Sequence, residues 1–423
     1  MKISLLFKFA STCLLLTLAW SAKAQPVKVE IVKNDSGFVL MRNHQPYFIK
    51  GAGGTRYMDR LAKYGGNSLR TWGTSNAAQD LANADKLGLT VTMGLDVARE
   101  RHGFNYDDTV AVRKQLEKLR REVIKYRNHP ALLMWGIGNE LNLHYKNPKV
   151  WDAVNDIAKM IHQEDPNHPV TTMLAGVNPE VVKNVIERCP DLDLLAVQVY
   201  GGLAKVPEQI VNAGWKKAYI VTEWGPTGHW ESIITPWKAA IEETSSEKAE
   251  VYRKRYEASI KIDKSCLGSY VFLWGQKQER TPTWYGLFTE AGEESEVIDV
   301  MQYLWTGKWP NDRAPHLDSL TLDGKRATAF IYLQPGKTYP VNFYAKDHNL
   351  IARWELLPES TDLKEGGDRE SRPQAIAGLV TANKTGATLK APEKAGAYRL
   401  FLYLGNGKNK VATGNIPFFV KTP

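Results

Sequence analysis

Residues 129–140 read HPALLMWGIGNE. The apolar run 132–137 predicts a buried strand, yet the chain leaves it through a glycine, an amide and a carboxylate, Gly138-Asn139-Glu140. Polar groups at the end of a core strand make sense if the strand ends at the mouth of a barrel, where parallel strands deliver their working residues. The rest of the chain must then supply seven comparable strands and a partner for Glu140.

It does. Short apolar runs at 47–50, 67–72, 90–95, 170–174, 194–199, 219–222 and 270–274 join 132–137 to make eight, roughly 32 residues apart. Amphipathic helical patterns lie between them, among them 110–127, 149–163, 179–188 and 247–263. Alternating strands and helices predict a parallel sheet, and eight units predict a (β/α)8 TIM barrel. An open doubly wound sheet is the rival. It would place a phosphate loop after the first strand, where KGAGG (50–54) stands, but no acidic ribose-binding position follows. The helix 296–305 closes the barrel pattern and KWPNDRAPH (308–316) reads as a linker. Beyond it the period changes to two, as in TYPVNFYAKD (338–347), LIARWELL (350–357) and the run 398–420, with GNG (405–407) as a hairpin turn. The expected architecture is α/β, a (β/α)8 TIM barrel over 25–310 followed by a C-terminal immunoglobulin-like β-sandwich over 316–423.

Residues 1–24 have the form of a secretory signal peptide: Lys2 and Lys8 around an apolar stretch, then Ala22-Lys23-Ala24 before Gln25. The expectation is an exported protein, secreted or periplasmic, with no membrane anchor, since no later segment is long and apolar enough to span. Cleavage would lower the formal charge from +9 to +6, and the excess is scattered without a basic–aromatic block, which argues against nucleic acid. Cys189 and Cys266 would then be the remaining cysteines, compatible with one bridge but not a disulfide framework. No Cys/His spacing suggests a metal, and no cofactor is expected. Thirteen Trp in 423 residues suit either a Trp-rich core or a surface that stacks sugar rings.

The strand ends supply the candidate chemistry: Arg70 and Trp72 after the second run, Asp96 after the third, Asn139 and Glu140 after the fourth, Gln198 and Tyr200 after the sixth, Glu223 and Trp224 after the seventh, Trp274 at the eighth. Glu140 and Glu223 stand 83 residues apart, three β/α units, so their carboxyls can converge across the mouth. Two converging carboxyls are what glycosidic cleavage requires, and their separation decides retention or inversion. In this reading Asn139 holds a sugar hydroxyl, Arg70 and Tyr200 keep Glu223 ionised, and Trp274 floors the site. Asp96, Trp72 and Trp224 are further substrate contacts, as are Trp230 and Trp284 for a sugar cleft; each of these could equally serve in packing. Glu231 and Glu279 are rival carboxylates without matching context, and His102 reads as a surface residue.

RNHPALLMWGIGNE (127–140) with AYIVTEWG (218–225) resembles the barrel of glycoside hydrolase family 2, in the retaining clan with glutamates after strands four and seven. FIKGAG (48–53), GGNSLRTW (65–72), DPNHPV (165–170) and DLLAVQVY (193–200) extend the resemblance in order along the barrel. The resemblance implies Glu140 as acid/base and Glu223 as nucleophile, with Arg70, Asn139, Tyr200 and Trp274 in the site. Two features depart from it: about 20 residues precede the first strand where family 2 carries β-sandwich domains, and Gln198 stands where Asn is frequent. A barrel followed by a sandwich is similar to the clan's family 158, which acts on β-1,3-glucan. The expected activity is retaining hydrolysis of a β-linked glucan, with an oligosaccharide or polysaccharide as partner. A transglycosylase using the same glutamates, or a non-catalytic carbohydrate-binding protein, are the alternatives.

Overall fold

A computed structural model describes residues 26–383 and 386–422; the signal sequence expected at 1–24 lies outside the described residues. Eight parallel strands close into a barrel in sequence order, the eighth pairing with the first. They are Ile49–Gly53, Ser68–Arg70, Thr90–Leu95, Leu132–Asn139, Val170–Ala175, Leu195–Gln198, Tyr219–Trp224 and Cys266–Val271. Seven of the eight expected runs coincide with these strands to within three residues at each end. The first begins two residues later than expected. The eighth lies well upstream of 270–274, because parallel pairing sets Gly268 against Ile49 and Val271 against Ala52.

The helices between the strands carry their own start signals. Asp108 Oδ1 accepts from the amides of Val110 and Ala111, both at 3.0 Å, and opens Thr109–Tyr126. Asn178 does the same for Pro179–Arg188, and Thr244 with Glu247 forms a capping box on Ser245–Ala258.

An antiparallel sheet not foreseen from the sequence precedes the barrel: Val29–Asn34, Gly37–Arg42 and Gln45–Pro46. Its apolar face, with Val29 and Leu40, packs on Leu133, Met134, Leu194, Ala218 and Leu267 at the start of the barrel strands. It therefore plugs the N-terminal end. The Val29 amide donates to the Asn167 carbonyl and the Phe38 amide to that of Lys264. Gly37 turns the hairpin at φ 140°, where a Cβ would stand 2.5 Å from the Lys264 carbonyl oxygen.

After the helix Glu296–Thr306 the chain forms two four-stranded sheets. One holds Leu317–Leu322, Thr338–Ala345, Gly386–Lys390 and Val380–Ala382; the other holds Ile331–Leu333, Val411–Val420, Gly396–Gly405 and Ile351–Pro358. Leu320, Leu322, Val341 and Leu389 of the first share a core with Leu356, Leu400, Leu402 and Phe418 of the second, so the sheets are stacked as a sandwich. The sandwich is fixed to the barrel by polar contacts at buried residues. Glu242 accepts from Lys248 Nζ (2.5 Å), Thr281 (2.6 Å), Thr283 (2.9 Å) and, across the interface, Asn415 Nδ2 (2.6 Å). Arg399 donates to the Ala240 carbonyl at 2.7 Å, and Lys410 pairs with Asp299 at 2.5 Å. Cys189 and Cys266 are both buried and unbridged.

Candidate active site

A cleft of about 1040 Å³ opens at the C-terminal end of the strands, the upper end of the ~300–1,000 Å³ usual for small-molecule sites. Glu140 and Glu223 both line it. Their settings differ.

Glu223 ends the seventh strand and is 7% exposed. Its Oε1 accepts from Arg70 Nη1 at 2.5 Å and from Trp72 Nε1 at 2.9 Å, and its Oε2 accepts from Tyr200 Oη at 3.2 Å. Burial, then the charge of Glu223, push the Tyr200 phenol well above its ordinary pKa, so it stays protonated and donates. Arg70 is 1% exposed; its other arm donates to Asn139 Oδ1, so one guanidinium ties the ends of strands four and seven together. Charge-assisted bonds of this kind hold the carboxylate in a fixed orientation.

Glu140 follows the fourth strand with φ 52°, in the left-handed region that side chains rarely adopt, and Gly138 before it has φ 70°. At Gly138 a Cβ would stand 2.7 Å from Leu141 Cδ1. The Glu140 amide donates to the Met173 carbonyl at 2.9 Å, which holds the reversal against strand five. This is why the strand ends in glycine: the backbone must turn sharply to bring the next carboxyl over the mouth. Desolvation, then repulsion from Glu223, push the Glu140 carboxyl up to about 7 against the opposing pull of Arg70, Arg101 and Arg99. Among the described residues no group donates a hydrogen bond to it.

Asn139 has its Oδ1 occupied by Arg70 and by Gln198 Nε2 at 2.7 Å, which leaves its Nδ2 to donate to a ligand. Gln198 lines the cleft, and its Oε1 is buried without a partner among the described residues. Trp72, Tyr200, Phe272 and Tyr285 form the aromatic side, with Tyr200–Tyr285 centroids at 5.5 Å and Trp72–Phe272 at 5.9 Å. Trp230 is 59% exposed at the rim, edge-on to Tyr200 at 5.5 Å.

Three expected contacts lie elsewhere. Trp274 is fully buried, packs on Phe288 and Trp305 and donates to the Tyr57 carbonyl; Phe272 and Leu273 take the floor position expected of it. Trp224 is fully buried on the opposite face of its strand from Glu223, against Tyr252 and Tyr256. Asp96 is exposed and does not line the cleft. Trp284 is buried under the cleft wall, with its Nε1 on the Thr227 carbonyl. Glu231 and Glu279 do line the cleft, but each is engaged. Glu231 accepts from the Gly201 and Gly228 amides at 2.8 and 3.0 Å, and Glu279 pairs with Lys277 at 2.6 Å. His102 is exposed and faces Asp368 of the sandwich at 3.2 Å. Residues 359–368, which no local sequence signal marked, supply several lining groups from the C-terminal sandwich.

Comparison with known proteins bears on the barrel. Residues 59–232, less than half of the chain, match the family model described as "Glycosyl hydrolases family 2, TIM barrel domain", a span that contains both glutamates. No curated protein matches the chain. Among solved structures the chain resembles a β-D-glucuronidase of Dictyoglomus thermophilum, with 18% identity and a TM-score of 0.53 over 67% of this chain and 54% of that one. It also resembles a GH2 β-galacturonidase from Eisenbergiella tayi bound to galacturonate (16%, 0.52, 67% and 54%). A third is a β-glucuronidase of Bacteroides uniformis (17%, 0.51, 93% and 48%). The chain spans about half the length of these proteins, and at such identities the likeness is one of fold. The fold is that of a closed α/β barrel, and the segment carrying Glu140 and Glu223 is similar to the family 2 TIM barrel.

Proposed function

We propose that this chain is an exported retaining glycoside hydrolase that cleaves a β-linked glycan by double displacement. The observation that carries the reading is the unequal treatment of two carboxyls on one cleft. Glu223 accepts three hydrogen bonds, one from a buried guanidinium, while Glu140 has no donor among the described residues and is pushed up to about 7. That is the division of labour between a nucleophile and an acid.

In the first step a Glu223 oxygen attacks the anomeric carbon, and the bond to the leaving oxygen breaks as Glu140 gives that oxygen its proton. In the second, water attacks the same carbon while the Glu140 carboxylate takes its proton, and the bond to Glu223 breaks. In this reading Asn139 Nδ2 holds a sugar hydroxyl beside the reacting carbon. Retention fits the family likeness.

For substrate we favour a neutral β-glucan, in keeping with the likeness to family 158. Seven carboxylates and four Lys or Arg line the cleft, so its field disfavours an anionic sugar such as the uronides named for the solved structures above. Export rests on the pattern of residues 1–24, and the two stacked sheets fit an immunoglobulin-like sandwich over 316–423 beside a catalytic barrel over 25–310. A transglycosylase would use the same pair with a sugar in place of water, and the exposed Trp230 ring at the rim is a surface on which an acceptor could stack. Product sizing separates the two.

The test is Glu223→Gln and Glu140→Gln on a panel of β-1,3-, β-1,4- and mixed-linkage glucans, β-mannan and β-galactosides. Each variant should lose at least about 10³ of kcat/KM on the substrate that the unaltered protein cleaves. Near-full hydrolysis by either one overturns the assignment.

A further inference from the structure

The loops that follow the first two barrel strands are short: residues 54–57 and 71–76 separate each strand from its helix. Those two loops give the cleft only Trp72 among its lining residues. A larger share comes from the sandwich. After Ile351–Pro358 the chain runs out over the barrel mouth, and Glu359, Ser360, Leu363 and residues 365–368 line the cleft.

The excursion is bolted to three barrel loops. Arg101, after strand three, donates to the carbonyls of Glu365 (3.2 Å) and Gly366 (3.4 Å). His144, four residues past Glu140, meets Glu365 Oε2 at 2.7 Å. After strand eight, Lys277 donates to the Gly367 carbonyl at 2.8 Å, and Arg280 holds the fully buried Glu370 carboxylate through Nη1 (2.7 Å) and its own amide (2.5 Å). Around the barrel, strands eight, one, two, three and four are neighbours, so these anchors bridge the arc over strands one and two. The close approach depends on Gly366-Gly367, both left-handed at φ 57° and 74°. A Cβ on Gly366 would stand 2.4 Å from Arg101 Nη1, and one on Gly367 would stand 3.2 Å from Lys277 Nζ.

Among the lining groups of this segment, Leu363 is the apolar one: a bulky side chain, 51% exposed, set on the cleft wall by a braced loop. The carboxylate pair sits at the strand ends, whereas every anchor of the segment lies on loops beyond them. The segment therefore bounds the part of the cleft outside the bond to be cleaved.

We propose that residues 363–368 of the C-terminal sandwich are a specificity wall of the barrel's active site, limiting how far a glycan extends past the Glu140–Glu223 pair over strands one and two. The inference rests on the hydrolase reading above. It makes the sandwich a working part of the site and not a prop for the barrel.

The experiment compares the unaltered full chain with two variants: one with residues 363–368 replaced by Gly-Gly, and Leu363→Trp. The probes are β-1,3- and β-1,4-gluco-oligosaccharides of two to six units, read as kcat and KM separately. Removing the wall should raise the ratio of kcat/KM for the six-unit over the two-unit sugar about tenfold, through KM. Leu363→Trp should lower that ratio about threefold. Ratios unchanged in both variants overturn the inference. Should the shortened loop fail to fold, Leu363→Trp decides alone, since that side chain is half exposed. If Glu223→Gln is inactive while both ratios stay fixed, the wall is wrong and the hydrolase reading stands. If Glu223→Gln still hydrolyses the probes, the hydrolase reading fails and the inference falls with it.

Discussion

Glu140 concentrates what is legible in a single position. Its place after a Gly-ended core strand reads directly from the sequence, and so does its pairing with Glu223. The left-handed backbone at φ 52° and the absence of a donor do not, because both depend on how strand five receives the reversal. Strand alternation could have corrected one misplaced residue: if Glu223 faces the mouth, then Trp224, next along, must face the helices. Gln198, by contrast, stands where the resemblance leads one to expect Asn, and its role emerges from its bond to Asn139. The raised pKa has consequences for both activity and stability. A proton donor with a value of about 7 is lost above neutrality, so kcat/KM should fall on the alkaline side of about pH 7, and Glu140→Gln should abolish that limb in whatever residual activity remains. For stability the sign is adverse. The folded carboxyl keeps its proton where the unfolded one has lost it, so stability falls as pH rises from the unfolded value, near 4.5, towards about 7. Glu140→Gln should therefore raise Tm at pH 8 and leave it nearly unchanged at pH 4; equal Tm values at pH 8 would show that the site carries no such strain.

Among the elements, the strand that the sequence misplaces is the eighth. YVFLW (270–274) is the most apolar run in its neighbourhood, but apolarity there serves two layers, the end of a strand and the packing that follows it. Only the register with Ile49–Gly53 separates them, which is why Trp274 leaves the cleft floor to Phe272 and Leu273. The N-terminal hairpin escaped for a related reason: VEIVKN and GFVLMR are short, half-polar strands whose burial comes from the barrel end they cover and not from their own pattern. The loop carrying Glu242 and the helix carrying Lys248 show how elements are joined. Glu242 is buried and, although desolvation opposes it, the Lys248 charge and bond, with the Thr281 hydroxyl, hold its carboxyl below the ordinary value. Removing one partner of such a pair strands the other charge, at a cost of about 3–5 kcal/mol. Glu242→Ala should lower stability by that amount in urea titration and loosen the sandwich, seen as faster amide exchange on the strand Val411–Val420. A change under about 1 kcal/mol would mean that water replaces the carboxylate.

For the molecule as a whole, the two-part architecture is legible in the change of hydrophobic period near residue 316, but the joint between the parts is not. Glu370 with Arg280, Arg399 with Ala240 and Lys410 with Asp299 join residues scores of positions apart, and nothing local foretells them. So many buried polar contacts between barrel and sandwich predict one cooperative calorimetric transition. That transition should be unmoved by reductant, since Cys189 and Cys266 are unbridged; two resolved transitions would show that the parts melt independently. The closing of the barrel has a consequence of its own. Its first strand finds its second edge only in Cys266–Val271, more than 200 residues downstream, and the hairpin below it waits for Lys264. Until that late segment has been made, Ile49–Gly53 is an unsatisfied sheet edge. Closure of the barrel therefore waits for its last strand, and the seam between first and last strands is where a chain halted short of completion would offer its edge to a neighbouring copy.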